Sequence, residues 1–520
     1  MPTLSSAAGS APSMSWGEGY HTGHWVYFAF LSVANCLQLA SFIGLMVYFI
    51  RGYLHSRKKK GDAISGTVAI IVPCYMPNEH SIIEETLEHI LNKLECEQEV
   101  NLEASQVIVY CAYNAPDGWT HPIEDKLKDM DGKRIGKWSR SFRSIRVPDS
   151  KSKASNLNYV IPEINSDYTV IYDADHHPDP RSLCIAVAKL EREGVDCIQG
   201  STYIRKGLNC MGKLIDAEFF VTHFVIFPSL QVLSGTGFFG GSNAVWRSKF
   251  LKTQAFHHSA QTEDIEYTTR ALLSGAKIQF CPESRSGELA PVSVQAFWKQ
   301  RLRWAMGWDQ VTLMHFDNIR KGENISCLAR MGIMYLLPLR WVILAIMLVS
   351  TVVQPIVLAV YDVHNFFLDG GERLQMTGPI QTTMWIGLGV LFGTVSVALG
   401  SVIAYERRDN RFLRQFVMVI TFLVIAPGYL LLQLVLVSVS LHRIRSNKVG
   451  DWVVTQRTTA VSREAASDAV KPAAEAVGKA SPAAAEDECT PSSVSEKPGA
   501  TSSESATPME SREPSEVFSV

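Results

Sequence analysis

Between Trp25 and Ile50 the chain is a near-continuous apolar run, and His55-Ser56-Arg57-Lys58-Lys59-Lys60 follows it. About 20 consecutive apolar residues suffice for a helix that crosses a bilayer. A basic flank marks the cytoplasmic side. The run is too long, and too far from the start, for a cleaved signal peptide, and no small-residue cleavage site follows it. Three more apolar stretches lie at 331–360, 384–405 and 416–441. Such a chain folds around membrane helices, with a polar domain between the first of them and the rest.

The 520 residues exceed one small domain, and the formal net charge of −2 argues against nucleic acid as a main partner. The ten cysteines are scattered, with no CxxC pair and no zinc spacing. They read as small buried residues in a reducing compartment, which suits a cytoplasmic domain.

From 67 to about 320 the pattern is α/β. Residues 68–72 form a short apolar run ending at Pro73, a buried-strand pattern, and 107–111 and 168–172 are two more. Helical periodicity covers 81–94 and 180–193. The alternation predicts a mostly parallel sheet with ligands at the strand ends. Residues 1–20 are small and polar, and 458–520 are rich in Ala, Ser, Pro and Glu; both are expected to be disordered. No internal repeat is visible.

Three polar clusters stand out. Asp173 and Asp175 follow the strand at 168–172. Two residues apart at a strand end, they could reach one hard cation, Mg2+ or Mn2+, whose remaining ligands are diphosphate oxygens and water; a plain surface turn is the alternative. Thr262-Glu263-Asp264 opens a helix at 265–273. Thr262 could be its N-cap with acidic residues in the first turn, and Asp264 could accept a proton from an attacking sugar hydroxyl. Gln300-Arg301-Leu302-Arg303-Trp304 lies in an amphipathic helix at 293–314. That helix could be an interfacial anchor, or it could set Arg303 on a diphosphate and Trp304 under an acceptor sugar.

Weaker signals surround these. Lys153 offers a point charge for a diphosphate. Gly241, Ser242 and Asn243 would admit a sugar closely, or form an ordinary tight turn. Trp452, Thr455 and Arg457 could close a short loop over a phosphate-bearing ligand, or anchor the chain beside the membrane.

With these motifs the chain resembles membrane-embedded family 2 glycosyltransferases, similar to cellulose synthases, cellulose-synthase-like glucan and mannan synthases, and hyaluronan synthases. The resemblance spans about 67–457 and rests on Asp173/Asp175, Thr262-Glu263-Asp264 and Gln300/Arg303/Trp304. Ser440-Leu441-His442-Arg443 followed by Trp452-Val453-Val454-Thr455 resembles the matching stretch of the mannan synthases. The resemblance implies a cytoplasmic GT-A domain joined to transmembrane and interface helices. It implies inversion at the anomeric carbon of a nucleotide sugar, with Asp173 serving the nucleotide, Asp175 the metal and Asp264 as base. In related enzymes the loop like 452–457 gates the nucleotide site, with Trp452 and Arg457 here in the places of a Phe and a Lys. The family's uridine-contacting Asp after the second strand is missing; by spacing, Asn114 or Asp117 takes its place.

The function so implied is a processive β-glycosyltransferase, with UDP-glucose polymerised to a β-glucan and exported as the first expectation. Mannan, chitin and hyaluronan-type synthesis are alternatives, as is a single-transfer glycolipid synthase like ceramide glucosyltransferase. A transporter or scaffold with an inert α/β domain is the rival from another class. The expected partners are a nucleotide-sugar donor, a growing polysaccharide and the bilayer, with oligomers or an accessory subunit open. The expected location is the plasma membrane, with the Golgi as the other candidate. A cytoplasmic 452–457 loop also demands an even number of C-terminal crossings, so either 331–360, with Pro338 and Pro355, or 416–441, with Pro427, must be broken.

Overall fold

The computed structural model describes residues 18–56, 66–95, 107–206, 209–323, 325–348, 352, 356, 359, 378–406 and 412–446. The expectations for residues 1–17, for the 452–457 loop with Trp452, Thr455 and Arg457, and for the tail from 458 lie outside them.

A first helix, α1 (Glu18–Ser56), leads into the sheet. Its strands are β1 (Val68–Tyr75), β2 (Val107–Asn114), β3 (Arg134–Ile135), β4 (Arg140–Arg146), β5 (Tyr168–Ile171), β6 (His177–Pro178), β7 (Cys197–Lys206), β8 (Ala244–Arg247) and β9 (Ile278–Leu289). They form one sheet in the order β3-β4-β2-β1-β5-β8-β7-β9-β6. The pairings β2–β4, β1–β2, β1–β5 and β7–β9 are parallel, as expected. However, β3–β4, β5–β8, β7–β8 and β6–β9 are antiparallel, so the sheet is mixed rather than mostly parallel.

β1 also runs past Pro73, where the sequence pattern placed its end. Pairing with β5 stops at Ile71, while pairing with β2 continues to Tyr75. Backbone groups two residues apart face the same side, and the Ile71 carbonyl accepts from Tyr172 on the β5 side. Pro73 therefore lacks its N–H only where no ladder partner remains.

The buried side chains of β1 alternate between two cores. Val68, Ile70 and Val72 pack with helices α2 (Ile83–Asn92) and α4 (Ser182–Glu193). Ala69 and Ile71 pack with helices α3 (Lys153–Val160) and α7 (Glu263–Leu273) on the other face. The product is a three-layer α/β sandwich whose parallel strands all end on one edge.

Between β7 and β8 lie α5 (Cys210–Val221), a π-helical turn (Thr222–Ile226) and α6 (Phe227–Ser234). After β9 come α8 (Val294–Lys321), α9 (Cys327–Leu336), α10 (Arg340–Leu348), α11 (Gly378–Glu406) and α12 (Phe412–Arg445). Among the described residues four helices are long and apolar enough to cross a membrane: Trp25–Tyr48, Cys210–Ser234, Pro379–Glu406 and Phe412–Arg445. Cys210–Ser234 was not foreseen, because the sequence pattern assigned it to the polar domain. The break expected in one of two stretches falls in the first: α9 and α10 meet at a 65° bend, whereas α12 passes through Pro427 as one helix.

Candidate active site

The parallel strands β1, β2 and β5 end at one cavity of about 280 Å3. Strand ends are where an α/β sheet leaves backbone and loop groups free for a ligand. Tyr75 and Asn114 line the cavity, and so does Asp173, in the loop after β5. Asn114 is tied into a polar net. Its Nδ2 donates to the Ser150 carbonyl at 2.9 Å, and its Oδ1 accepts from Asn156 Nδ2 at 2.9 Å. The cavity-lining carboxylate nearest Tyr75 in sequence is Glu79, which accepts from the Tyr75 N–H at 2.8 Å.

Lys153 opens α3, whose N-cap Ser152 accepts from the Ser155 N–H. Its Nζ lies 2.5 Å from Asp173 and 3.7 Å from Glu263, and donates to the Gly241 carbonyl at 2.7 Å. Burial works to lower the Lys153 pKa, but Asp173 and Glu263 outweigh it and push the pKa up to about 12. The ammonium is therefore charged at any physiological pH.

Thr262 occupies the N-cap position of α7, yet its side chain makes no capping bond. It fits instead against Gly307 of α8, where a Cβ would lie 2.3 Å from Thr262 Oγ1. Glu263 and Asp264 follow on the first turn and both line the cavity. Burial and the neighbouring Glu263 charge raise Asp264 to about 7, against the opposing pull of Lys153. A carboxylate tuned near neutrality is suited to general-base work.

From α8, Gln300, Arg303 and Trp304 reach the same cavity. Arg303 donates to the Gln261 carbonyl at 3.2 Å. The Arg301 guanidinium stacks 4.2 Å from the Trp304 ring, so one face of that indole is covered. Arg301 also pairs with Glu218 at 2.7 Å, and Tyr429 of α12 donates to Glu218 at 2.5 Å.

Other expected site residues lie elsewhere. Asp117 is exposed on the loop after β2, off the cavity lining. Asn243 turns away from the cavity: its Nδ2 donates to the carbonyls of Ser201 and Ser284. Ser242 does line the cavity and accepts from the Asp173 N–H at 3.0 Å. Asp175 is 0% exposed, does not line the cavity, and accepts from the Leu289 N–H at 3.2 Å.

For a divalent cation the residues present are therefore a partial ligand set. The Asp173 carboxylate faces the cavity, while among the described residues no three His, Cys, Asp or Glu side chains converge on one point. That fits a hard cation that takes most of its shell from donor phosphates and water.

Sequence reasoning missed Glu79, Glu218, Thr222, His223 and Glu288, all cavity-lining. Glu288 reaches the site by pairing with His176 Nε2 at 3.1 Å, across 112 residues of chain. No local signal marks such a residue.

Residues 65–307 match the family model described as glycosyltransferase like family 2. This segment is a family 2 glycosyltransferase domain. A poly-beta-1,6-N-acetyl-D-glucosamine synthase of Staphylococcus aureus is 24% identical over 285 residues, 53% of this chain and 64% of that protein. The chain thus spans just under two thirds of that relative's length. A probable glycosyltransferase, YdaM, of Bacillus subtilis is 24% identical over 410 residues, 75% of this chain and 86% of that one. Among solved structures, the mannosyltransferase PcManGT from Pyrobaculum calidifontis, in complex with GDP-Man and Mn2+, aligns with 19% identity and a TM-score of 0.40. It covers 72% of this chain and 100% of its own.

Proposed function

We propose that the chain is a processive, inverting β-glycosyltransferase that polymerises a nucleotide-activated hexose at a membrane and exports the product. One observation carries this reading. A single cavity joins the strand-end site, Asp264, and an aromatic end built on the apolar helix α5 with its π-helical turn. A donor at the strand ends and a glycan at the aromatic end would meet at Asp264.

In this reading the nucleoside lies near Tyr75 and Asn114, and the diphosphate near Lys153 and Arg303. The Asp264 carboxylate takes the proton from an acceptor hydroxyl as its oxygen attacks the anomeric carbon. The bond to the diphosphate breaks on the opposite face, and the nucleoside diphosphate departs with the electron pair. Lys153 and Arg303 offset the charge that develops on it. Mg2+ or Mn2+, held by Asp173 and supported by Asp175 behind it, would further neutralise that charge when bound. Trp304 contacts the acceptor sugar from the cavity wall, with Gln300, Gly241 and Ser242 lining the same space. The gating role expected of Trp452, Thr455 and Arg457 belongs to this reading too.

Glucose from UDP-glucose is the first reading of the sugar. N-acetylglucosamine is the second, favoured by the sequence relatives that make a poly-N-acetylglucosamine. The catalytic face is cytoplasmic and the membrane the plasma membrane, with the helices supplying the exit path. The test is a donor panel on purified membranes: radiolabelled UDP-glucose, UDP-N-acetylglucosamine and GDP-mannose, with Mg2+ or Mn2+. Label in polymer from one donor, absent with Asp264→Asn, supports the reading. Label in the lipid fraction alone supports a glycolipid synthase instead.

A further inference from the structure

The cavity that holds Asp264 and Arg303 is also lined by Thr222 and His223 of the π-helical turn. A π turn widens a helix locally and is common at functional sites. Here adjacent residues serve opposite sides. His223 lines the cavity, while Phe224 packs away from it, 4.7 Å from Tyr405.

The His223 ring is held in one orientation. Its edges meet Phe219 at 5.9 Å and Phe227 at 5.3 Å, and both phenyl rings also line the cavity. Nδ1 lies 2.9 Å from the Phe219 carbonyl. A carbonyl only accepts, so Nδ1 carries the proton, and Nε2 of the neutral ring is a bare acceptor. Gln300, 5% exposed, adds a second acceptor: its Oε1 has no hydrogen-bond partner among the described residues, although it borders the same space. A buried polar atom left unpaired in a ligand cavity calls for a donor from outside the protein.

Aromatic walls with a few fixed acceptors suit a sugar ring, which presents C–H faces to aromatics and hydroxyl donors at its rim. They do not suit a second diphosphate, since the cation here, Arg301, is already paired with Glu218.

We propose that Thr222 and His223 form a second sugar subsite, one unit past the transfer point, in which His223 Nε2 accepts a hydroxyl of the glycan already made. The proposal rests on the polymerase reading, and its test separates the two. Full-length enzyme in lipid nanodiscs is given UDP-glucose or UDP-N-acetylglucosamine, and transfer to polymer is measured beside hydrolysis of the donor to free sugar. His223→Leu is expected to lower transfer roughly tenfold, about the loss of one hydrogen bond to substrate, and to shorten the product. Donor hydrolysis stays at the wild-type rate, and His223→Gln, whose amide oxygen can accept, restores most of the transfer. Unchanged transfer and length in His223→Leu overturns the subsite, as does an equal fall in transfer and hydrolysis. Should His223→Leu fail to fold, Thr222→Val is read by the same two criteria. A wild type that yields nothing longer than one sugar from these donors or from GDP-mannose refutes the polymerase reading itself, before any variant is compared.

Discussion

Gly241 and Asp264 meet with no room for a Cβ between them: one built on Gly241 would lie 2.7 Å from Asp264 Oδ2. The glycine also holds φ +85°, a conformation that costs an L-residue about 1–2 kcal/mol. Gly241→Ala is therefore expected to displace the candidate base and to lower both turnover and the unfolding midpoint. Steady-state rates and thermal melts of the purified variant check this. A variant with wild-type turnover would mean that the base tolerates a shift.

The pH dependence follows from Asp264 itself. Only its ionised form can take a proton, so kcat/KM should fall as pH drops through about 7. Removing the neighbouring negative charge with Glu263→Gln should move that limb to lower pH. Asp264→Asn should cost about 10²–10⁴-fold in transfer while nucleotide binding persists. A flat profile across neutrality argues for a different base.

Chelation separates the two aspartates after β5. EDTA should stop transfer, and Mn2+ or Mg2+ should restore it. Asp173→Asn should weaken metal-dependent donor binding, measured by calorimetry, with only a modest fall in melting temperature, because Lys153 keeps Glu263 and the Gly241 carbonyl. Asp175→Asn, at a fully buried carboxylate that accepts from Leu289, should lower both. Loss of binding in Asp175→Asn at an unchanged melting temperature would make Asp175 a direct ligand instead of a support.

Arg301 is 4% exposed and paired with Glu218. Removing one member of a buried pair leaves the other uncompensated and costs about 3–5 kcal/mol. Arg301→Met should thus destabilise the enzyme strongly, and the double variant Arg301→Met/Glu218→Gln should recover much of the loss. Thermal unfolding in detergent reads both. Additive losses would mean that the pair contributes no coupling.

Much of the frame was legible because short apolar runs ending in polar residues leave few alternatives to buried strands. The strand end before Asp173 follows from that pattern, whereas β1 and β2 run on to Tyr75 and Asn114, past the ends of their apolar runs; three motifs far apart in sequence line one cavity. The mixed sheet was not legible: β8, Ala-Val-Trp-Arg, is four residues long and carries no sign of its direction. The apolar helix at Cys210–Ser234 was hidden by Asp216 and Glu218. Their charges are met by Arg414 and Arg301, residues too distant in sequence for any local pattern to pair them. The orientations of Asn243 and Asp175 depend on carbonyl and amide partners in β7 and β9, and spacing alone says nothing of those.

The notch that Gly307 leaves for Thr262 has a mechanical consequence. The side chain two positions before Asp264 is seated on α8, a helix whose Leu313, Met314 and Phe316 are exposed. Roll that helix about its axis and Thr262 must move with it, carrying the start of α7. Whatever seats those three apolar side chains is thus geared to the position of the candidate base.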